Sequence, residues 1–325
     1  MTNAMAPIIE VQDLSKRFGE VVAVDRIAFQ VLPGEIFGFL GPNGAGKTTT
    51  INMLTGLTRP TEGRISFLGR DYTAEVKKAQ HLMGIVPDES NLYPELSGYE
   101  NLVFCAALYG LSKQERKARA KDLLREFGLM DAAARSFAQY SKGMKRKLTI
   151  AAGIIHRPQI LFLDEPTTGL DVASARHIRQ LIKQLNRSGC TVFLTTHYLE
   201  EAERLGDRLA FIVQGRVVRI DSLANLMRDF EGRKIIQFAF SAPADLLVPF
   251  HRCFPFLTGE TVGETGLRVY SDRTIDLIPL IQFFQEHQVE VIEARGVKPS
   301  LEDVFVRVTG LETEIMKREK GGQGK

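Results

Sequence analysis

The segment Phe37 to Asn52, FGFLGPNGAGKTTTIN, restricts this chain more than any other. An apolar run, Ile36 to Leu40, reads as a short buried strand and leads into Gly41-Pro42-Asn43-Gly44-Ala45-Gly46-Lys47-Thr48. Residues able to start a helix follow, beginning with Thr49. Strand, G-x-x-x-x-G-K-[ST] and helix in that order are the P-loop in the context that gives the pattern meaning. Glycines reach backbone conformations closed to other residues, so successive N–H groups can converge on an anion. The following helix aims its partly positive N-terminus at the same place. Lys47 is then the residue that neutralises the β- and γ-phosphates, and Thr48 the one that offers a hydroxyl oxygen to Mg²⁺. A glycine-rich turn with a chance lysine is the competing reading, and the flanking elements count against it. The expectation is a nucleoside triphosphate site with Mg²⁺.

Composition sets the surroundings of that site. A chain of 325 residues can bury a full core and has room for two domains. Its 44% hydrophobic and 25% charged content is ordinary for a globular protein. A net charge of +3 is too mild to argue for nucleic acid, and no nucleic-acid partner is expected. The cysteines, Cys105, Cys190 and Cys253, are far apart and without metal-ligand spacing, which points to a reducing compartment. The opening MTNAMAPIIEVQDL lacks the pattern of a signal peptide. No apolar run approaches the ~20 residues of a spanning helix. Any membrane span is expected from a partner.

Along the chain, residues 8 to 36 alternate short apolar segments with turn signals and read as an antiparallel β region leading into the P-loop strand. Further strands are expected at Arg64 to Leu68 and ending at Ile85-Val86-Pro87. From about 89 to 140 strand signals vanish and Ser112-x-x-Glu115 forms a capping box, so a helical subdomain is inserted here. From Ile160 a strand (ILFLD), a helix (Val172 to Asn186), a strand (TVFLTT), a helix (Leu199 to Leu205) and a strand (LAFIV) alternate, which implies a parallel sheet covered by helices. A first domain is therefore placed at 1–230. Residues 231–310 read as β-α-β-β-α-β, a small ferredoxin-like α+β domain, with helices at Pro243 to Cys253 and Thr274 to His287 and a last strand at Val289 to Glu293. Pro249 and Pro279 weaken both helices. Ser300 caps a final helix, and 311–325 form a disordered tail.

Later motifs narrow the class. Ile160-Leu161-Phe162-Leu163-Asp164-Glu165 is a buried strand ending in two carboxylates, the Walker B arrangement. Asp164 is expected to hold Mg²⁺ through its water shell, and Glu165 to polarise the attacking water as general base. An acidic turn after a core strand is the rival reading, weakened by the P-loop upstream. Between the two motifs, Tyr140-Ser141-Lys142-Gly143-Met144-Lys145-Arg146-Lys147-Leu148 leads into a helix. Ser141 and the amides around Gly143 thus sit at a helix N-terminus suited to phosphate.

YSKGMKRKL resembles the signature motif of ABC ATPases, usually written LSGGQ. Pro166-Thr167-Thr168-Gly169-Leu170-Asp171 resembles the family's D-loop, and Thr195-Thr196-His197 its switch histidine. The resemblance covers about residues 8 to 220 in the family's motif order. It implies a P-loop NTPase fold and two ATP molecules sandwiched between two nucleotide-binding domains. One P-loop and one signature then require a second copy or a homologous partner. His197 is implied to contact the γ-phosphate and steady the water, and Asp171 to link the two sites. Phe18 stands where the family places an aromatic ring against adenine, with a core phenylalanine as the alternative. Two departures stand out. Tyr140, Lys142 and Met144 replace Leu, Gly and Gln of the signature, while Ser141 and Gly143 are kept. Asp88 occupies the position of the Q-loop glutamine, either as a metal-side ligand or as a solvent-facing turn residue.

The YSKGM form, VPDESNLYPELSGYENL and GVKPSLEDVFVRVTG together resemble ATPase subunits of bacterial antibiotic exporters of the daunorubicin-resistance type. That resemblance implies an ATPase on the cytoplasmic face of the membrane, attached through a separate permease that docks near Leu92 to Asn101. The rival is a soluble ABC ATPase acting on ribosomes or nucleic acid, which usually carries two cassettes or a long coiled-coil or zinc insertion, neither of them present here. For the C-terminal domain, added dimer contact and regulation are both open.

Overall fold

The computed structural model describes residues 6–228 and 232–311. The tail expected over 311–325 lies, from residue 312 on, outside the described residues, as does the boundary expected at 230/231. The described residues fall into two compact units: one comprises residues 6–223 together with 305–311, the other lies within Ala224–Val304.

Alternating apolar residues make the first unit's opening hairpin. β1 (Ile9–Phe18) buries Ile9, Val11 and Leu14, and β2 (Val21–Val31) buries Val24, Ile27, Phe29 and Val31. They pair antiparallel, Ile9 opposite Val31 and Phe18 opposite Val21. β3 (Ile36–Leu40) is buried throughout, as its apolar run requires, and feeds α1 (Lys47–Leu54). β4 (Glu62–Phe67) returns to pair antiparallel with β1, and β5 (Arg70–Asp71) adds a short edge after Leu68-Gly69. β6 (Met83–Val86) then enters a second sheet.

The helical insertion holds α2 (Gly98–Leu108), α3 (Lys113–Glu126) and the start of α4 (Lys142–Gly153). Ser112 and Glu115 form the expected capping box, and Ser97 with Glu100 forms a second one at the start of α2. The α/β part resumes with β7 (Ile160–Asp164), α5 (Val172–Arg187), β8 (Thr191–Thr196), α6 (Leu199–Leu205), β9 (Arg208–Val213) and β10 (Arg216–Ser222). The second sheet runs β10-β9-β3-β8-β7-β6. β3 lies parallel between β8 and β9, and β7 parallel between β6 and β8. The expectation of an all-parallel sheet is corrected at one edge, because β10 is antiparallel to β9. Gln214 and Gly215 have φ of 49° and 77°, the two positive values that a two-residue hairpin turn matched to strand twist demands.

Under the P-loop strand lies a cluster of phenylalanine rings. Phe29 of β2 stacks on Phe37 of β3 at 5.6 Å, while Phe193 of β8 sits 5.7 Å from Phe37, 5.6 Å from Phe39 and 5.6 Å from Phe162. Such pairs each add about 0.5–1.5 kcal/mol beyond area burial.

After α7 (Leu223–Arg228), the second unit has β11 (Lys234–Phe240), α8 (Leu247–Cys253), β12 (Thr258–Thr261), β13 (Gly266–Ser271), α9 (Leu277–Glu286) and β14 (Val291–Val297). Its sheet runs β12-β13-β11-β14 with every neighbouring pair antiparallel, the ferredoxin-like order expected. Both helices begin later than read: α8 at Leu247 rather than Pro243, and α9 at Leu277 rather than Thr274. Pro249 and Pro279 thereby fall in first turns, where a missing N–H breaks no helical bond. β14 likewise lies further along than the expected Val289 to Glu293. Phe238, Phe240, Phe250, Phe283 and Phe284 lead its core. α10 (Leu301–Thr309) follows Ser300, whose N–H and hydroxyl both donate to Asp303.

Candidate active site

The P-loop turn is fixed by its glycines. Gly46, the N-cap of α1, has φ 105°, and a Cβ there would stand 2.6 Å from the Ala23 carbonyl. A side chain is excluded on both counts. No side chain caps α1 and no acid lies in its first turn, so the first amides of the helix, over Lys47, Thr48 and Thr49, are available to an anion.

Around this turn is a cleft of about 370 Å³ lined by Asn43, Gly44, Gly46, Lys47, Thr48, Thr49, Asp88, Glu165 and His197, all expected from sequence, with Ala23, Thr168 and Tyr198 added. Gly41 and Pro42 contribute carbonyls that accept from Lys47 Nζ at 2.7 and 3.3 Å, and Ala45 is buried beneath the turn. Lys47 Nζ also lies 3.2 Å from Glu165 Oε1.

Glu165 follows β7 with φ 48°, a left-handed conformation uncommon outside glycine. Its N–H donates to the Thr195 carbonyl at 3.1 Å, and its Oε2 receives His197 Nδ1 at 2.9 Å and Thr168 Oγ1 at 3.2 Å. A carboxylate only accepts, so Nδ1 carries the hydrogen of that bond. Burial acts to raise the Glu165 pKa, but the His197 hydrogen bond and the Lys47 charge outweigh it and hold the carboxyl below its ordinary value. Asp164 is buried and accepts a short hydrogen bond from Thr195 Oγ1, below the lining rather than in it. Asp88 does line the cleft, its pKa pushed up by desolvation, with the nearby Asp164 and Glu165 charges adding and Arg146 opposing.

Phe18 is 52% exposed at the end of β1, which removes the core alternative, and Lys16 Nζ lies 4.8 Å above its ring. The remaining predicted residues stand apart from this cleft's lining. Ser141 is the N-cap of α4 and accepts from Met144 N–H at 3.3 Å. Gly143 faces α5, where an added Cβ would meet Ser174 Oγ at 2.6 Å. Asp171 caps α5 through Ser174, whose hydroxyl and amide hydrogen bonds hold its carboxyl below the ordinary range.

A metal would find no all-protein cage: among the described residues no three His, Cys, Asp or Glu side chains group around a point. Mg²⁺ at a nucleotide site is usually held by one or two carboxylates together with the substrate's own phosphates. Thr48 and Asp88 line the cleft and Asp164 is buried next to Glu165, so these are the residues that would hold Mg²⁺ there.

A family model described as ABC transporter matches residues 24–168. The linearmycin resistance ATP-binding protein LnrL of Bacillus subtilis (strain 168) is 36% identical over 308 residues, 93% of this chain and 98% of that one. The chain belongs to the ATP-binding subunits of ABC transporters. Another member, the daunorubicin resistance ATP-binding protein DrrA3 of Streptomyces coeruleorubidus, is 37% identical over 310 residues, 93% of this chain and 96% of that one. The ABC cassette MJ0796, solved as a dimer in a post-hydrolysis state with ADP and Pi, superposes with a TM-score of 0.61 at 29% identity over 66% of this chain and 98% of that one. ATP binding and hydrolysis are properties of this ABC cassette. Among the described residues no helix is long and apolar enough to cross a membrane.

Proposed function

We propose that this chain is the Mg²⁺-dependent motor subunit of an exporter, working as a pair of cassettes beneath a separate membrane permease on the cytoplasmic face. The observation that carries the reading is Glu165, a buried carboxylate at the P-loop cleft held between Lys47 and His197. Its depressed pKa keeps it ionised and able to accept a proton from the attacking water. Thr48, Asp164 and Asp88 would hold Mg²⁺, which would offset the negative charge that develops on the transferred phosphate. The chain's own residues do the rest. Lys47 leaves Glu165 to neutralise the phosphates, which frees the carboxylate to turn to water. His197 directs Nδ1–H at Glu165, so its Nε2 donates to a phosphate oxygen only when the ring holds both protons.

Ser141, Gly143 and Asp171 belong to a surface outside this chain's own cleft lining, which suits a second cassette whose P-loop they complete. The second cassette is read as another copy of the chain. The relatives named for linearmycin and daunorubicin resistance favour export over work on ribosomes or nucleic acid. The test is phosphate release by the purified chain with ATP and Mg²⁺, run beside E165Q, and recovery of tagged chain from detergent-solubilised membranes. Activity lost in E165Q but with ATP still bound, and a polytopic membrane protein in comparable amount, are the expected results. Ribosomal proteins in place of the permease would overturn the export reading.

A further inference from the structure

Arg146 lies on α4 just beyond Ser141, is 8% exposed, and spends every guanidinium N–H on main-chain carbonyls. Nε donates to Pro166 O at 2.8 Å. One terminal nitrogen donates to Pro87 O at 2.5 Å and Asp88 O at 3.1 Å, the other to Asp164 O at 2.7 Å and Glu165 O at 2.8 Å. Arginine has five such donors in a rigid planar fork, and all of them are used here.

The pattern selects two loops. β6 and β7 pair in parallel as far as Val86 and Leu163, and beyond that register their ladder stops. Pro87 and Asp88 lead from β6 into the helical subdomain, whereas Asp164 to Pro166 carry the metal-side carboxylate and the base. Arg146 spans the gap where backbone pairing has ended. It also holds the carbonyl of Glu165, whose left-handed φ of 48° persists only where its surroundings over-determine it. With all its donors on carbonyls this buried cation fixes the path of the chain, while its charge also acts on the Asp88, Asp164, Glu165 and Glu201 carboxylates around it.

We propose that Arg146 is a positioning residue that ties the loop after β6 to the loop after β7, so that displacement of the helical subdomain sets where the Glu165 carboxylate stands. The inference rests on the reading of Glu165 as the base. A lysine at this site keeps charge and reach but has three donors and no fork.

The test compares wild-type, R146K and R146M full-length protein for kcat and KM with MgATP, and for deuterium exchange in peptides covering the two loops. Misplacement of the base predicts a kcat lower by about 10- to 100-fold in R146K. KM should hold within about twofold, because the P-loop amides that dominate phosphate binding are untouched. Exchange should rise in both loops together and not in α1. Should R146M fail to fold, R146K alone carries both readouts. Wild-type kcat in R146K, or faster exchange in one loop only, would overturn the proposal. An E165Q chain that still hydrolyses ATP would remove the base assignment, while paired loosening in R146K would still support the clamp.

Discussion

Lys47 Nζ stands 3.2 Å from Glu165 Oε1, and both side chains are buried. The cation proposed to meet phosphate and the carboxylate proposed to meet water therefore neutralise one another across the cleft. Removing one member of a buried pair strands the other's charge, and His197 offsets only part of that loss. K47M is expected to destabilise the protein by about 1–3 kcal/mol, with K47M/E165Q recovering part of it. Urea unfolding of the four proteins of that cycle measures the coupling. Purely additive changes would show that the pair contributes nothing.

Phe18 is exposed and its ring packs into no core. F18A should leave the unfolding midpoint nearly unchanged, within about 0.5 kcal/mol. ATP affinity should fall by about 1–3 kcal/mol, the range of a stacked base on an aromatic ring. Equal affinity for ATP in F18A would remove Phe18 from the adenine site.

His156 gives the fold an acid limit. Its ring stacks on Tyr109 at 3.5 Å, Nε2 lies 2.9 Å from the Met83 carbonyl, and Nδ1 is buried without a partner. Burial lowers its pKa from 6.5 to about 4. The unfolded chain thus takes up the proton first, and stability is lost as pH falls from the ordinary histidine value toward about 4. The slope is at most about 1.4 kcal/mol per pH unit and less for a part-exposed ring. H156Q should flatten the dependence of Tm on pH across that window; curves of the same slope would exclude His156 as its source.

Glu201 acts in the opposite sense. Glu201 is 3% exposed, its Oε1 accepts from Thr167 Oγ1 at 2.7 Å, and its Oε2 has no hydrogen-bond partner. Desolvation raises its pKa against the opposing effect of the Thr167 and Thr196 hydroxyls. A raised pKa in the folded state means stability that is present below the unfolded carboxylate value and lost as pH rises through the folded one. E201Q keeps the acceptor and removes the ionisation. Its Tm should exceed that of the wild type by a few degrees at about pH 8, and the gap should close toward about pH 5. A gap constant with pH would refute this.

Motifs with strong local chemistry were legible in the sequence. The glycines of the P-loop, the carboxylates after ILFLD and the capping serine at 112 announce themselves because short-range geometry demands those residue types. What stayed hidden depends on packing between distant segments. Arg146 sits in a Lys-Arg-Lys run that reads as a solvated basic face, and only the approach of two loops from other strands reveals five carbonyls around it. Thr168 and Tyr198 border the cleft through neighbours already recognised, whereas Ala23 reaches it from β2 with no chemical signal of its own. β10 was missed for a different reason: its turn is Gln214-Gly215, and glutamine is a rare choice for a position with positive φ.

The phenylalanine rings beneath β3 couple the two sheets of the first unit. Phe29 belongs to the antiparallel sheet, and the rings it meets belong to β3 and β8 of the other. Peeling the hairpin away would open the aromatic floor on which the P-loop strand rests, at a cost shared by several ring pairs. The hairpin and β3 are therefore expected to melt as one cooperative block, with the ladder-bonded amides of β3 exchanging with solvent far more slowly than the uncapped amides at the start of α1.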